Sequence, residues 1–145
     1  MIILKIKEIM STNVKTISEN CSLQEAAEHM KSLDVGSIPV CNNSKKLVGM
    51  VTDRDMVIRG VKSGSDTNTP VSQVMSKNPV SIAPDLGIHE AARIMAKNQI
   101  RRLPVVENNE VVGIVSIGDL AVRDIYVNEA GDALSSISES NNKIM

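Results

Sequence analysis

An α+β fold made of two copies of one small helix-and-strand unit is what this sequence predicts, on three observations. The chain matches itself at an offset of about 65 residues, which is the signature of a repeat architecture. Each copy passes from apolar residues at helical spacing to short β-rich runs separated by turn residues. The 145 residues, 42% of them hydrophobic, are enough to bury one sizeable core.

The elements come in the same order in both copies. Ile9-Met10-Ser11-Thr12-Asn13 matches Val74-Met75-Ser76-Lys77-Asn78, and a short strand is expected after each, at Val14 to Ile17 and at Val80 to Ile82. The first helix of one copy carries Leu23, Ala26, Ala27 and Met30 at i, i+3, i+4 and i+7, and that of the other carries Ile88, Ala91, Ala92 and Met95. One face of each is therefore expected to be buried. Ser22 followed by Glu25 predicts a capping box, whereas the second copy offers Asp85 or Gly87 at that place.

Two strands follow, Ser37 to Cys41 and Leu47 to Val51, joined by the polar run Asn42-Asn43-Ser44-Lys45-Lys46; Asn108-Asn109 marks the same turn later. A closing helix begins near Asp53 and near Gly118. Lys62 to Pro70 has the composition of a connection between copies. From about Gly131 the Ser- and Asn-rich chain is expected to be flexible, with Tyr126, Val127 and Ala130 prolonging the last helix before it. The expected organisation is thus 1–64, 65–130 and a tail over 131–145.

Composition narrows the function. With 16 basic residues against 17 acidic ones, no overall field steers the protein to nucleic acid or to an anionic membrane. There is no Trp, no Phe and a single tyrosine, Tyr126, so a bound base would be held by aliphatic side chains and backbone instead of stacked rings. The apolar run at the amino terminus is too short for a signal peptide and no stretch could span a bilayer, which points to the cytoplasm and to no membrane partner. Cys21 and Cys41 stand apart and read as packing residues. His29 and His89 fall at no metal-ligand spacing, so no metal is expected. A Gly-rich loop ending in Lys-Ser or Lys-Thr, a His-Glu-x-x-His and a nucleophile-base-orienter set are all lacking, so no enzyme is expected.

The ordered set of Ile-Met-Ser and Val-Met-Ser, the Glu-Ala-Ala helices, Ile38-Pro39-Val40 with Arg101-Arg102-Leu103-Pro104-Val105, and Gly49-Met50-Val51-Thr52 with Gly113-Ile114-Val115-Ser116 resembles the cystathionine β-synthase (CBS) domain. That domain occurs in tandem pairs called Bateman modules, and the resemblance runs from Ile6 to Val127. It implies two CBS repeats, each a three-stranded sheet with two helices, packed about a pseudo-twofold axis. It also implies two related clefts that take AMP, ADP, ATP or S-adenosylmethionine, a dimer, and no catalysis.

Candidate binding residues follow from that likeness. Thr52-x-x-Asp55 and Ser116-x-x-Asp119 resemble the family's ribose and phosphate contact, and a carboxylate accepting ribose hydroxyls is chemically apt. The plainer role of the same spacing is a helix N-cap. Arg101 and Arg102 precede a strand whose neighbours point to opposite faces, so one guanidinium is expected to meet phosphate and the other solvent. The first copy has Gly36-Ser37 there, and it has Arg54 where the second has Gly118, a residue that admits close backbone approach. The second copy is therefore the expected phosphate site. By family position Thr16 and Ser81 lie beside the adenine. Ser37, Pro39 and Pro104 fall in segments that offer backbone edges, and Ile17, Ile82, Ile38 and Leu103 form apolar walls that would equally be core.

The rival reading is a ligand-free interaction module, docking on itself or on an unidentified regulated protein. Met56, Val57, Ile58, Leu120, Ala121, Val122, Ile125 and Tyr126 make the closing helices more apolar than one buried stripe needs, and a homodimer through them is expected.

Overall fold

In the computed structural model, residues 4–121 and residue 137 are described. The expected tail lies outside them apart from Ile137, which is helical and buried, as do Val122, Ile125, Tyr126, Val127 and Ala130.

The chain forms β1 (Ile17–Ser18), α1 (Leu23–Leu33), β2 (Ser37–Cys41), β3 (Leu47–Thr52) and a short α2 (Asp53–Asp55) continued by a π-helical stretch, Met56–Val61. After these come β4 (Ser76–Lys77), α3 (Ile88–Asn98), β5 (Arg102–Glu107), β6 (Glu110–Ser116) and α4 (Ile117–Ala121). Two compact units result. One holds residues 15–79 and 109–111; among described residues up to Leu120 the other holds 4–14, 80–108 and 112–120. They are called the α1 unit and the α3 unit below. Folded units and sequence repeats are thus different partitions of one chain, because each repeat's opening segment packs with the other repeat.

In the α1 unit the sheet order is β1-β2-β3-β4, with β1 parallel to β2 and the other pairs antiparallel. β4 is the opening segment of the second repeat. Gly49 makes room for it: a Cβ there would lie 2.5 Å from Met75 Sδ and 2.9 Å from the Ser76 carbonyl oxygen. The α3 unit repeats the plan with β5 and β6, a parallel bridge from Ile82 to Val105 and an antiparallel bridge from Ser11 to Ile114. Gly113 sits beneath Met10 as Gly49 sits beneath Met75. The strand expected at Val80 to Ile82 is reduced to that one bridge, since Pro79 and Pro84 flank it and proline offers no N–H to a ladder. The strand expected at Val14 to Ile17 lies further on, at Ile17–Ser18.

Both first helices bury the expected stripe with one exception. Leu23, Ala26 and Met30 are buried in α1, as are Ile88, Ala91, Ala92 and Met95 in α3, but Ala27 is exposed. Each helix ends with a non-glycine residue in the left-handed region, Asp34 (φ 54°) and Gln99 (φ 57°). Val35 and Ile100 then return their N–H groups to the Met30 and Met95 carbonyls, closing the last turn. At the start of α1, Ser22 Oγ accepts from Glu25 N–H at 3.1 Å, but the capping box is one-sided because the Glu25 carboxylate takes the Cys21 thiol instead. α3 begins at Gly87 with no side-chain cap. Backbone supplies what is missing: Leu4 O accepts from Ile88 N–H, and Thr69 O and Thr67 O accept from Leu23 and Gln24 N–H. The Lys62–Pro70 connection is therefore part of the cap of α1.

The turns match their residues. Lys45 (φ 64°) closes the β2–β3 hairpin with Asn42 Oδ1 accepting from Ser44 and Lys46 N–H. Asn108 (φ 55°) and Asn109 (φ 65°) form a two-residue turn whose positive φ angles suit the twist of β5 and β6.

Candidate ligand-binding site

Each unit has a corner where its central strand passes into the closing helix, tied by a reciprocal cap. At the first, Thr52 Oγ1 accepts from Asp55 N–H at 2.9 Å and Asp55 Oδ2 accepts from Thr52 N–H at 3.1 Å. At the second, Ser116 Oγ accepts from Asp119 N–H at 3.2 Å and Asp119 Oδ2 accepts from Ser116 N–H at 2.7 Å. The plainer of the two expected roles is thus filled at both places. It uses one oxygen of each carboxylate, and a carboxylate has about four acceptor sites, so capping leaves room for a ligand hydroxyl. All four side chains are half-buried.

The strand that precedes each corner is pinned to it. Gly36 O accepts from Asp53 N–H at 3.0 Å, and Arg101 O accepts from Ile117 N–H at 2.9 Å. Ser37, half-buried, lies opposite Thr52 in the β2–β3 register. Arg101 is exposed and Arg102 half-buried, as alternation along a strand requires. Nε of Arg102 is buried with no hydrogen-bond partner among the described residues. An unmet buried donor costs about 1–3 kcal/mol.

The corners differ as their sequences do. Gly118 is exposed, and the nearest atom to a Cβ built there is Ser116 Oγ at 3.5 Å, so the backbone is open to approach. Arg54 occupies the matching place in the α1 unit and is exposed, its N–H bonded to Asp53 Oδ1.

The adenine-side residues divide into polar edges and core. Thr16 and Ser81 are half-buried, and Pro39 and Pro104 are buried within β2 and β5. Pro104 O accepts from Ile82 N–H at 3.1 Å. Ile17 and Ile38 belong to the core of the α1 unit, and Ile82 and Leu103 to that of the α3 unit. Two hollows flank β1. One, of ≈ 250 Å³, is lined by Thr16, Ile17, Ser18, Cys41, Asn42, Lys45, Glu110 and Val111. The other, of ≈ 370 Å³, is lined by Lys15, Thr16, Ile17, Ser18, Asn20, Cys21, Glu25 and His29. Neither is lined by Asp55, Asp119 or Arg102, so these two concavities and the predicted contacts meet only at Thr16, a polar edge, and Ile17, an apolar wall.

Burial pushes the Cys21 thiol up to about 11, helped by its hydrogen bond to Glu25 and by that carboxylate's charge. Burial raises Cys41 too, against the opposing hydrogen bond of Thr16. Both are protonated, unreactive packing groups at neutral pH. Among the described residues no group of three His, Cys, Asp or Glu side chains is placed to hold a metal ion. One contact was missed in the sequence. Arg59, one helical turn beyond Asp55, points Nε at Asp55 Oδ1 (4.0 Å) and donates from Nη1 to the carbonyls of Val74 and Met75. The i, i+4 spacing of acid and base was the available signal.

The CBS domain model matches residues 6–61 and again residues 71–125. The chain is a CBS-domain protein. It is 48% identical over 136 residues to the CBS domain-containing protein YhcV of Bacillus subtilis, covering 94% of this chain and 96% of that one. The crystal structure of Hypoxic Response Protein I with two coordinated zinc ions is similar at 33% identity and a TM-score of 0.77, covering 83% of this chain and 98% of that one. The CBS domain pair of MJ0100, in complex with 5-methylthioadenosine and S-adenosyl-L-methionine, is similar at 27% identity and a TM-score of 0.73, covering 83% and 94%. CBS domain pairs thus include a binder of adenosyl ligands. No helix among the described residues is long and apolar enough to cross a membrane.

Proposed function

We propose that this CBS pair is a non-enzymatic, cytoplasmic regulatory module that binds an adenine nucleotide, AMP, ADP or ATP, with the Asp119 corner as the stronger site. Asp119 and Ser116 receive the ribose, and Arg102 with the open backbone at Gly118 receives phosphate. Thr52 and Asp55 serve the weaker site. Thr16 and Ser81 lie at the adenine edge, and no metal or resident cofactor takes part. The observation that carries this reading is the Ser116–Asp119 corner with a carboxylate oxygen left over from the cap, held by the Ile117 N–H to Arg101 O bond beside the half-buried, cationic Arg102. An anionic phosphate is attracted by that guanidinium, whereas the sulfonium of S-adenosylmethionine is repelled by it.

Calorimetry with AMP, ADP, ATP and S-adenosylmethionine tests it. Asp119→Ala removes about 2 kcal/mol of ribose binding, roughly a thirtyfold loss of affinity. Because the alanine also deletes a helix cap, Asp119→Asn, which keeps an acceptor for the Ser116 N–H, accompanies it. Equal affinity for S-adenosylmethionine and AMP, or nucleotide titrations unchanged by both variants, would overturn the assignment.

A homodimer through the closing helices is favoured by Val57, Ile58 and Val61, which are 60%, 54% and 73% exposed beside the half-buried Met56. Leu120 takes no part in that contact, because it is fully buried in the core of its own unit, contrary to the sequence expectation. Ala121, Val122, Ile125 and Tyr126 have no described side chains. A regulated protein partner would read the same surface.

A further inference from the structure

We infer that Arg59 is a positioning residue that ties the Asp55 corner to residues 74–75 at the entry to β4, so that a change of charge at Asp55 is felt in the strand through which the chain leaves the α1 unit. The guanidinium is anchored at one end: Nη1 donates to Val74 O at 3.3 Å and to Met75 O at 3.1 Å. A guanidinium is planar and rigid, so anchoring Nη1 sets the direction of Nε, and Nε faces Asp55 Oδ1 at 4.0 Å. The arginine side chain is 52% exposed and the aspartate 16%, so as an isolated surface pair the contact would do little. The two carbonyl bonds turn it into a three-point link between α2 and the backbone of residues 74–75.

What lies downstream gives the link a consequence. Met75 Sδ is seated over Gly49, and the next two residues pair Ser76 with Met50 and Lys77 with Gly49. Asn78-Pro79 then carries the chain into the α3 unit at Val80. The same spacing recurs as Asp119-x-x-x-Arg123, although Arg123 lies outside the described residues. A hydroxyl that donates to Asp55 Oδ1 shares the charge that Nε faces, and a guanidinium held less by Asp55 holds the Val74 and Met75 carbonyls less firmly. This ligand-dependent part rests on the adenosyl reading above.

Amide hydrogen exchange at Ser76, paired with Met50, tests the link without any ligand. Asp55→Asn keeps an oxygen for the Thr52 N–H but removes the charge, and Arg59→Ala removes the anchor. Each is expected to speed exchange at that amide by about tenfold while leaving the amides of α1 unchanged, and the double variant is expected to go no further than the faster single one. Should Arg59→Ala fail to fold, Arg59→Gln, which retains an amide donor, replaces it. Additive effects, or a silent Asp55→Asn beside an active Arg59→Ala, would reduce Arg59 to a local packing residue and overturn the inference. In a second arm, AMP alters exchange at Ser76 in the native chain but not in Arg59→Ala chains that still bind it. Persistence of that response without Arg59 overturns the inference, whereas failure of AMP to bind the native chain sinks the nucleotide reading and leaves the first arm to decide the link.

Discussion

Gly49→Ala tests the seating of β4 against β3. The new methyl group would stand 2.5 Å from Met75 Sδ, 3.0 Å from Met75 Cγ and 2.9 Å from the Ser76 carbonyl oxygen. The thioether is the far end of a flexible side chain and can swing away. The carbonyl oxygen cannot move alone, because it belongs to the strand that pairs with Met50 and Gly49. Forcing a methyl into such a contact costs about 1–3 kcal/mol, and the loss of chain freedom in the unfolded state returns about 0.4–1 kcal/mol. The net expectation is about 0–2.6 kcal/mol of destabilisation, centred on about 1.3, read as a lower urea midpoint at unchanged slope. Gly60→Ala is the internal control: Gly60 is also buried, but the nearest atom to its Cβ is Leu23 Cδ1 at 3.7 Å, an ordinary contact. It lies in a helical stretch, so it should gain about 0.4–1 kcal/mol. If Gly49→Ala were as stable as the native chain, or if Gly60→Ala fell with it, close approach of Met75 and Ser76 would not be what requires glycine at position 49.

Two further expectations concern titration. Because the Cys21 thiol is pushed up to about 11, mainly by burial and then by Glu25, native protein should react slowly with an alkylating thiol reagent until the pH is well above 9. Glu25→Gln should lower that pKa part of the way, and an unchanged pH–rate profile would remove Glu25 as a cause. A raised thiol pKa contributes stability below the unfolded value of 9.0 that is lost as pH climbs toward 11. Asp85 is shifted the other way, its carboxyl lowered by its hydrogen bond to Lys7 and then by the charges of Lys7 and Lys5, at 3.0 and 3.8 Å. A depressed acid contributes stability above its unfolded pKa of 3.8 that disappears as pH falls through the lower folded value. Lys7→Ala should therefore flatten the acid limb of the stability curve in low salt only, and a difference that survives 1 M salt would refute a screened surface pair.

What could be read in the sequence was what local geometry dictates. Helical spacing located α1 and α3, and Asn108-Asn109 located a hairpin whose two positive φ angles need such residues. Ala27 was assigned to a buried face and is exposed, because a period of 3.6 defines a stripe but not which of its edges another element covers. The exchange of opening segments was beyond reach for a related reason. Self-comparison shows that Ile9-Met10-Ser11 is like Val74-Met75-Ser76, yet likeness says nothing about which glycine either will cover. Pairing Met10 with Gly113 and Met75 with Gly49 depends on contacts far apart in sequence, which leave no periodic trace.

The site was harder for a different reason, since Thr52-x-x-Asp55 and Ser116-x-x-Asp119 encode two jobs in one spacing. The cap is satisfied within four residues and needs no ligand, so it would exist in any chain that places this corner correctly. Recurrence in both copies therefore argues for the fold before it argues for binding. The difference between the two corners lies outside either cap. Arg102 is cationic where the other copy has the neutral Ser37, and its Nε is buried with no hydrogen-bond partner among the described residues. If nucleotide is bound, the cap and the ligand use different oxygens of the same aspartate. The order of the α4 corner should then rise with occupancy rather than compete with it.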